Sequence, residues 1–282
     1  MDFSGDEFEV IVVDDGSPDS LDHIVEAVED RLNITLLRQE KSGPAMARNH
    51  GACHARGQWI AFLDDDCVPQ SDWLTQLAAA IGSSETMLGG AAINACTDNV
   101  FAVTNQFLVD FVTEWFRANA AGLYFFPSNN MIVAAERFRS IGGFDRRFPL
   151  AGGEDRELCA RWLAAGWKLA AAPGVKIAHY HPQSLVTFLS THLRYGRGAA
   201  RMHAMARTNP FKVATWTLHE DLIRAAWRSG PGVRGFRLAG LLLAAQVSQA
   251  MGYFAETLST PSAGSPNANL SVSRRYTRES VR

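Results

Sequence analysis

The chain has 282 residues, of which 47% are hydrophobic and 20% charged. That balance excludes global disorder and suits one large domain or a domain with an appendage. The formal net charge of −2 hides a division: residues 1–185 hold 14 Lys/Arg against 25 Asp/Glu, and residues 186–282 hold 13 against 4. The first part is an acidic body suited to holding metal. The basic remainder reads equally as a face for an anionic surface and as solvated surface charge. The four cysteines, Cys53, Cys67, Cys96 and Cys159, form no C-x-x-C pair. No disulfide framework or zinc site is expected, and a reducing cytosol fits. The first residues lack the basic and apolar segments of a signal peptide.

Phe8 to Val13 is a β-branched apolar run that stops at Asp14-Asp15-Gly16, the pattern of a buried parallel strand ending in a loop. A helix is expected from Ser20 to Arg31, capped by Asp19 or Ser20. A strand follows at Ile34–Leu37, a helix at Pro44–Ala55, and a strand at Trp59–Leu63 that stops at Asp64-Asp65-Asp66. With a helix at Trp73–Ile81, this alternation predicts an α/β fold with a mainly parallel sheet flanked by helices. Phe101 to Ala118 has helical spacing; a core-packing helix is the commoner outcome for such a stripe, an acceptor-side helix the rarer one. Glu154 to Gly166 is a helix and Val175–Ala178 a strand running into His179-Tyr180-His181. From Leu185 the pattern is helical. Phe236 to Phe254 is mostly apolar but broken by polar residues, so packing at a membrane surface ranks above spanning, with a plain buried helix close behind. Residues 259–282 have the composition of a disordered tail. The expected organisation is a catalytic domain over 1–184, divided near residue 95, then a helical extension over 185–258 and the tail.

Acids collect where ligands bind in open α/β sheets, outside the carboxyl ends of the strands. Three carboxylates in a row repel one another unless a cation or hydrogen-bond donors balance them. Asp64 and Asp66 would point to one side if the chain stayed extended, which suits Mg²⁺ or Mn²⁺ with substrate phosphates. Asp14 and Asp15 are placed to accept hydrogen bonds from a base or ribose, although an Asp-Gly turn alone is common. Arg48, among small residues in Gly43–Asn49, is placed to face a phosphate. Asp155 follows Gly152-Gly153 at a helix start. It suits a proton acceptor, and in isolation a capping acid stabilised by the helix dipole is the commoner role. His179 and His181 suit an additional metal ligand, though such a pair is more often structural.

Together these segments resemble the family 2 glycosyltransferases of GT-A fold. VVDDGSPD, GPAMARNHG, FLDDDCVP, SNNMIVAAERFRSIGGFD and GGEDRELCARWLAAGW match that family's successive blocks across roughly residues 8–200. The resemblance implies that Asp14 and Asp15 contact the nucleotide, that Arg48 lies along it, and that Asp64 and Asp66 are the D-x-D pair, Asp64 also reaching the donor nucleotide. It further implies Asp66 as the more direct metal ligand, Asp155 as the catalytic base with Glu154 beside it, and His179 or His181 as a late metal ligand. Asn129, Asn130, Gly143 and Asp145 would shape the donor-sugar and acceptor region. The family's first strand and following helix have no counterpart, so an open sheet edge is expected. The processive signature Q-x-x-R-W is missing, which favours single additions.

The function these features predict is inverting, metal-assisted transfer of a sugar from a nucleotide-sugar to a glycan or lipid-linked acceptor hydroxyl. It would serve cell-envelope polysaccharide or glycolipid synthesis, with Mn²⁺ or Mg²⁺ as cofactor and no nucleic-acid partner. The chain would be cytoplasmic, peripheral at the inner face of the membrane. The alternatives are a non-catalytic nucleotide-sugar-binding relic and a nucleotidyltransferase; no N-terminal Gly-rich loop of the latter kind is present.

Overall fold

The computed structural model describes residues 7–119, 125–205, 216–229 and 232–259. Its elements run β1 (Val10–Asp14), α1 (Asp22–Glu26), β2 (Ile34–Arg38), α2 (Pro44–His54), β3 (Trp59–Leu63), β4 (Cys67–Pro69), α3 (Trp73–Ala80) and β5 (Thr86–Asn94). There follow α4 (Val100–Asn119), β6 (Asn130–Ala134), α5 (Ala135–Ser140), α6 (Glu154–Ala164), β7 (Lys168–His179), α7 (Leu185–Met205), α8 (Trp216–Ser229) and α9 (Val233–Ser259). Beyond Ser259 the expected tail lies outside the described residues.

The α/β class is as expected. Helix α1 is shorter than its sequence pattern. It has no buried residue, and a helix without a packed face is marginal. Helix α2 begins with Pro44 at a first-turn position, where the missing N–H costs nothing.

Strands β1 and β2 form a parallel pair of their own, Val10 opposite Ile34 through Asp14 opposite Arg38. The other strands form a five-stranded sheet in the order β3-β6-β5-β7-β4. Among the described residues β1 pairs on one side only, with β2. The pairing is mixed: among the described residues parallel pairing is confined to β1–β2 and β5–β7, β6 runs antiparallel to both β3 and β5, and β4 runs antiparallel to β7. All five residues of β6 are buried, as befits a strand covered on both faces. Strand β5 shifts register between Gly90 and Ala91. A Cβ on Gly90 would stand 2.1 Å from Asn130 Nδ2, so only glycine admits β6 and β7 this closely.

The main core lies between this sheet and α2, α5 and α6, around the fully buried Met131, Phe144, Leu158 and Trp162. Trp162 buries its ring and still donates its indole N–H to Glu85 O at 3.1 Å. A second core joins α4, α7, α8 and α9 through Leu108, Phe188, Leu222 and Leu242. The stripe of α4 is thus a packing stripe: Trp115 also donates to Asp221 of α8 at 3.2 Å. The seam that positions the site is between α7 and the loop before α6. A Cβ at Gly198 would sit 1.8 Å from Gly152 O; helix and loop touch backbone to backbone.

Candidate active site

After β3 the chain turns instead of staying extended, closed by the Cys67 N–H donating to Asp64 O at 3.1 Å. Asp64 and Asp66 therefore face different partners, although they are only two residues apart. The β4–β7 ladder sets Cys67 opposite His179, and Asp66 O accepts the Tyr180 N–H at 2.7 Å. This brings the Asp66 carboxylate 2.9 Å from His181 Nδ1 and 3.3 Å from His179 Nε2. The two imidazole rings stack 5.3 Å apart. One ligand atom from each of Asp66, His179 and His181 lies within 4.8 Å of the others. Burial works to raise the Asp66 pKa, but hydrogen bonds from His179 and His181 outweigh it and hold the carboxyl well below its usual range. One carboxylate and two imidazoles, all partly accessible, are a donor set that fits Mn²⁺-type ions with room for substrate oxygens.

Asp64 is not part of that cluster. Its Oδ1 accepts from Arg48 Nη2 at 2.7 Å, and Arg48 Nη1 donates to Glu154 at 3.2 Å. The guanidinium also sits 5.5 Å from the Phe144 ring centre. Burial works against the Arg48 charge, and Asp64 and then Glu154 more than restore it, so its pKa is raised. Arg48 is thus a clamp between the turn after β3 and the start of α6.

Gly152 and Gly153 adopt φ of 133° and 98° at that start, a conformation that favours glycine. Glu154, 3% exposed, accepts the Gly152 N–H at 2.6 Å besides the Arg48 contact. Asp155 keeps part of its surface open but is crowded by protein. Burial, and next the neighbouring Glu154 charge, push its pKa up to about 6, with Arg156 and Arg48 opposing. Tyr195 of α7 packs on Gly152, and its hydroxyl is raised to about 12 by burial and by the Asp155 charge. No local pattern marks Tyr195 in the sequence; its place depends on the α7 seam.

The remaining expected residues are placed as follows. Asp15 accepts three hydrogen bonds, from Gln39 Nε2 and the Ser42 N–H at 2.7 Å and the Gly43 N–H at 2.8 Å. It staples the β1 loop to the entry of α2. Asp14 is buried and accepts the Ser17 N–H at 2.8 Å. Asn130 is buried, donates to Val175 O at 2.9 Å and Ala91 O at 3.2 Å, and accepts from Trp73 Nε1 at 3.2 Å. Its side-chain amide is engaged by β5, β7 and α3, and Asn129 lies beside it in the preceding turn. Asp145 pairs with Arg147. Gly143, at φ 67°, lies under Asn49. Asn49 donates to Phe144 O and accepts the Phe144 N–H, both at 2.8 Å. Asn49, at the end of the Gly43–Asn49 stretch, thereby holds the Gly143–Asp145 turn beside Arg48.

The sequence matches the model of the family described as "Glycosyl transferase family 2" over residues 2–137, and that of the "N-terminal domain of galactosyltransferase" over 124–183. The pre-mycofactocin glycosyltransferase of Mycobacterium tuberculosis is 30% identical over 243 residues, 83% of this chain and 50% of that protein. Glycosyltransferase AglE of Haloferax volcanii is 26% identical, across 75% of this chain and 70% of its own. The chain spans about half the length of the first of these. Among solved structures, S. aureus TarS 1–349 in complex with UDP-GlcNAc is 19% identical over 89% of this chain and 82% of that one, with a TM-score of 0.49. By its sequence blocks, the family model and its sequence relatives, the chain belongs to the family 2 glycosyl transferases.

Proposed function

We propose that this chain transfers a sugar from a nucleotide-diphosphate sugar to an acceptor hydroxyl, with inversion at the anomeric carbon. The observation that carries this reading is the Arg48 clamp. It ties Asp64, in the turn that also bears Asp66, to Glu154, the neighbour of Asp155 at the start of α6, which supports the reading that the Asp66–His179–His181 cluster and the Asp155 carboxylate of raised pKa serve one substrate space. Asp66, His179 and His181 would hold Mn²⁺ or Mg²⁺, which when bound neutralises charge on a departing diphosphate. Asp155 is the general base. Its carboxylate takes the acceptor proton as the oxygen attacks opposite the leaving group, and a base titrating near 6 is ionised at neutral pH and still a useful acceptor. Glu154, fixed by Arg48 and by the Gly152 N–H, supplies the like charge that keeps Asp155 basic.

The relatives' names support the donor class: TarS is described with UDP and with UDP-GlcNAc. A glycan or lipid-linked acceptor, a role in cell-envelope polysaccharide or glycolipid synthesis, and a peripheral position at the inner membrane face through the basic C-terminal part complete the proposal. The catalytic domain would end near residue 184 and the helical extension near 258. The deciding experiment is a panel of nucleotide-sugars with Mn²⁺, monitored for released nucleoside diphosphate. Release that depends on Asp155 supports the enzyme; binding without turnover across the panel would instead identify a nucleotide-sugar-binding relic.

A further inference from the structure

Helix α9 has two unlike faces. One is packed: Leu242, Ala245 and Ser248 are buried, and Ser248 Oγ donates to Leu189 O of α7 at 2.7 Å. The other is open. Phe236, Leu243, Val247, Met251, Phe254 and Leu258 are each more than half exposed. Their spacing keeps them in one line down the helix, roughly 33 Å long at about 1.5 Å per residue. No charged residue falls between Arg237 and Glu256. The apolar surface continues beyond α9. Trp227 of α8 packs edge-on against Phe236 at 4.9 Å, and Val100 and Phe101 of α4 share a hollow with Phe236, Gly240 and Leu241. A contiguous strip of this extent marks an interaction surface, whereas single exposed hydrophobes are ordinary.

We infer that this face of α9 lies in the surface of an anionic lipid bilayer and docks the enzyme there. Charge selects the occupant. The stretch from Leu222 to Ala255 carries Arg224, Arg228, Arg234 and Arg237 and no acid. Arg228 and Arg237 are exposed at the Phe236 end of the strip. A second copy docked on this face would set like charge against like charge, whereas anionic headgroups complement it. Trp227 and Phe236 at that end are amphipathic and apolar rings of the kind that settle at a lipid–water boundary. By length and composition α9 is able to cross a membrane, but its packing opposes this. A Cβ at Gly196 would stand 1.9 Å from Gln249 O, and one at Gly252 2.0 Å from Leu193 O. Locked this closely, α9 would draw Arg194, Arg197 and Arg201 of α7 into the hydrocarbon with it. An in-plane helix keeps α7 on the protein side. Because α7 also touches Gly152 and Gly153, docking holds the start of α6, with Asp155, at a fixed height above the lipid, where a membrane-borne acceptor is presented. This inference rests on the peripheral placement proposed above and names its surface and orientation.

The test is co-sedimentation of the full chain with vesicles of phosphatidylglycerol and phosphatidylcholine, against pure phosphatidylcholine. The partner variant is Leu243→Ser/Val247→Ser/Phe254→Ser, substituted only at exposed positions. The chain is expected to pellet with the anionic vesicles and the variant at least tenfold less, with helical circular dichroism and Tm unchanged and the chain extractable by alkaline carbonate. Equal pelleting of chain and variant, no pelleting of either, or resistance to carbonate would overturn the inference. So would a dimer in light scattering that the variant converts to monomer. Nucleoside diphosphate release from a nucleotide-sugar, measured without lipid, is expected to be the same in both proteins. Its loss in both counts against the transferase reading, separately from the docking result.

Discussion

Beside the two ends of the Arg48 clamp stand two aspartates whose pKa values are moved in opposite directions. At the β4–β7 edge Asp66 faces two imidazoles, and their hydrogen bonds keep it ionised far below the usual range. At the start of α6 Asp155 faces burial and the charge of Glu154, and its pKa rises to about 6. Two carboxylates with pKa values pushed apart by their surroundings suit different work, and in the proposed function one would be a permanent anion for a cation and the other a proton acceptor. The lesson is that aspartate content alone does not assign roles in this acidic body. Partners do, and a single arginine bridges the two segments that carry them.

Five measurements would break or sharpen that contrast. Asp155→Asn is expected to have the largest effect, a fall in turnover of about 10²–10⁴-fold with nucleoside diphosphate affinity unchanged in calorimetry; retained turnover would remove Asp155 as base. Next is Arg48→Met, which leaves Glu154 buried without its counter-ion. Removing one partner of such a pair costs about 3–5 kcal/mol, to be read from urea denaturation, and Glu154→Gln added to Arg48→Met should recover part of it. On the other side of the clamp, His179→Ala or His181→Ala should weaken Mn²⁺ affinity about 10–100-fold, measured by titration of the metal alone, with Asp155-dependent features of the pH profile intact.

The pH profile is the fourth. With its folded pKa above the unfolded one, Asp155 favours its protonated form in the native state, so its penalty on folding appears as pH rises from about 4 through about 6. Activity needs the ionised form. Turnover should fall about tenfold per pH unit below about 6, while Asp155→Asn should be more stable than the parent at pH 8 and equal to it near pH 4. A limb that stays in place when Glu154→Gln is introduced would show that the Glu154 charge does not tune the base. The smallest effect belongs to Asp15→Ala: about 1–3 kcal/mol of stability from three lost charge-assisted hydrogen bonds, read as a lower Tm, with a modest rise in donor KM. An unchanged Tm would mean that Asp15 does not staple the loop.

The elements that were easiest to read share one property. Strands β1, β2 and β3 and helices α2, α3, α4 and α6 each carry their own periodicity and stop signals, and Asp64, Asp66, Asp155 and the two histidines stand at such stops. Strands β4, β5 and β6 do not. β4 has three residues, β5 has two glycines at its centre where neighbours crowd in, and β6 is a short all-buried run with no alternation. Their pairing comes from long-range partners, and with them came the antiparallel ladders within the sheet.

By itself the sequence determined the class of the fold, the acidic strand ends, the glycine-led start of α6 and the separation into an acidic body and a basic helical part. Each is a local matter of period, charge or backbone freedom. Tertiary structure alone decided which acid meets which cation. Asp64 and Asp66 part company because the chain turns between them, and Arg48 reaches Glu154 across 106 residues. Asp15 and Asn130 are committed to backbone and indole partners from distant segments. A carboxylate's role follows from its desolvation and its nearest charges, and those are set by segments that meet only in the folded chain.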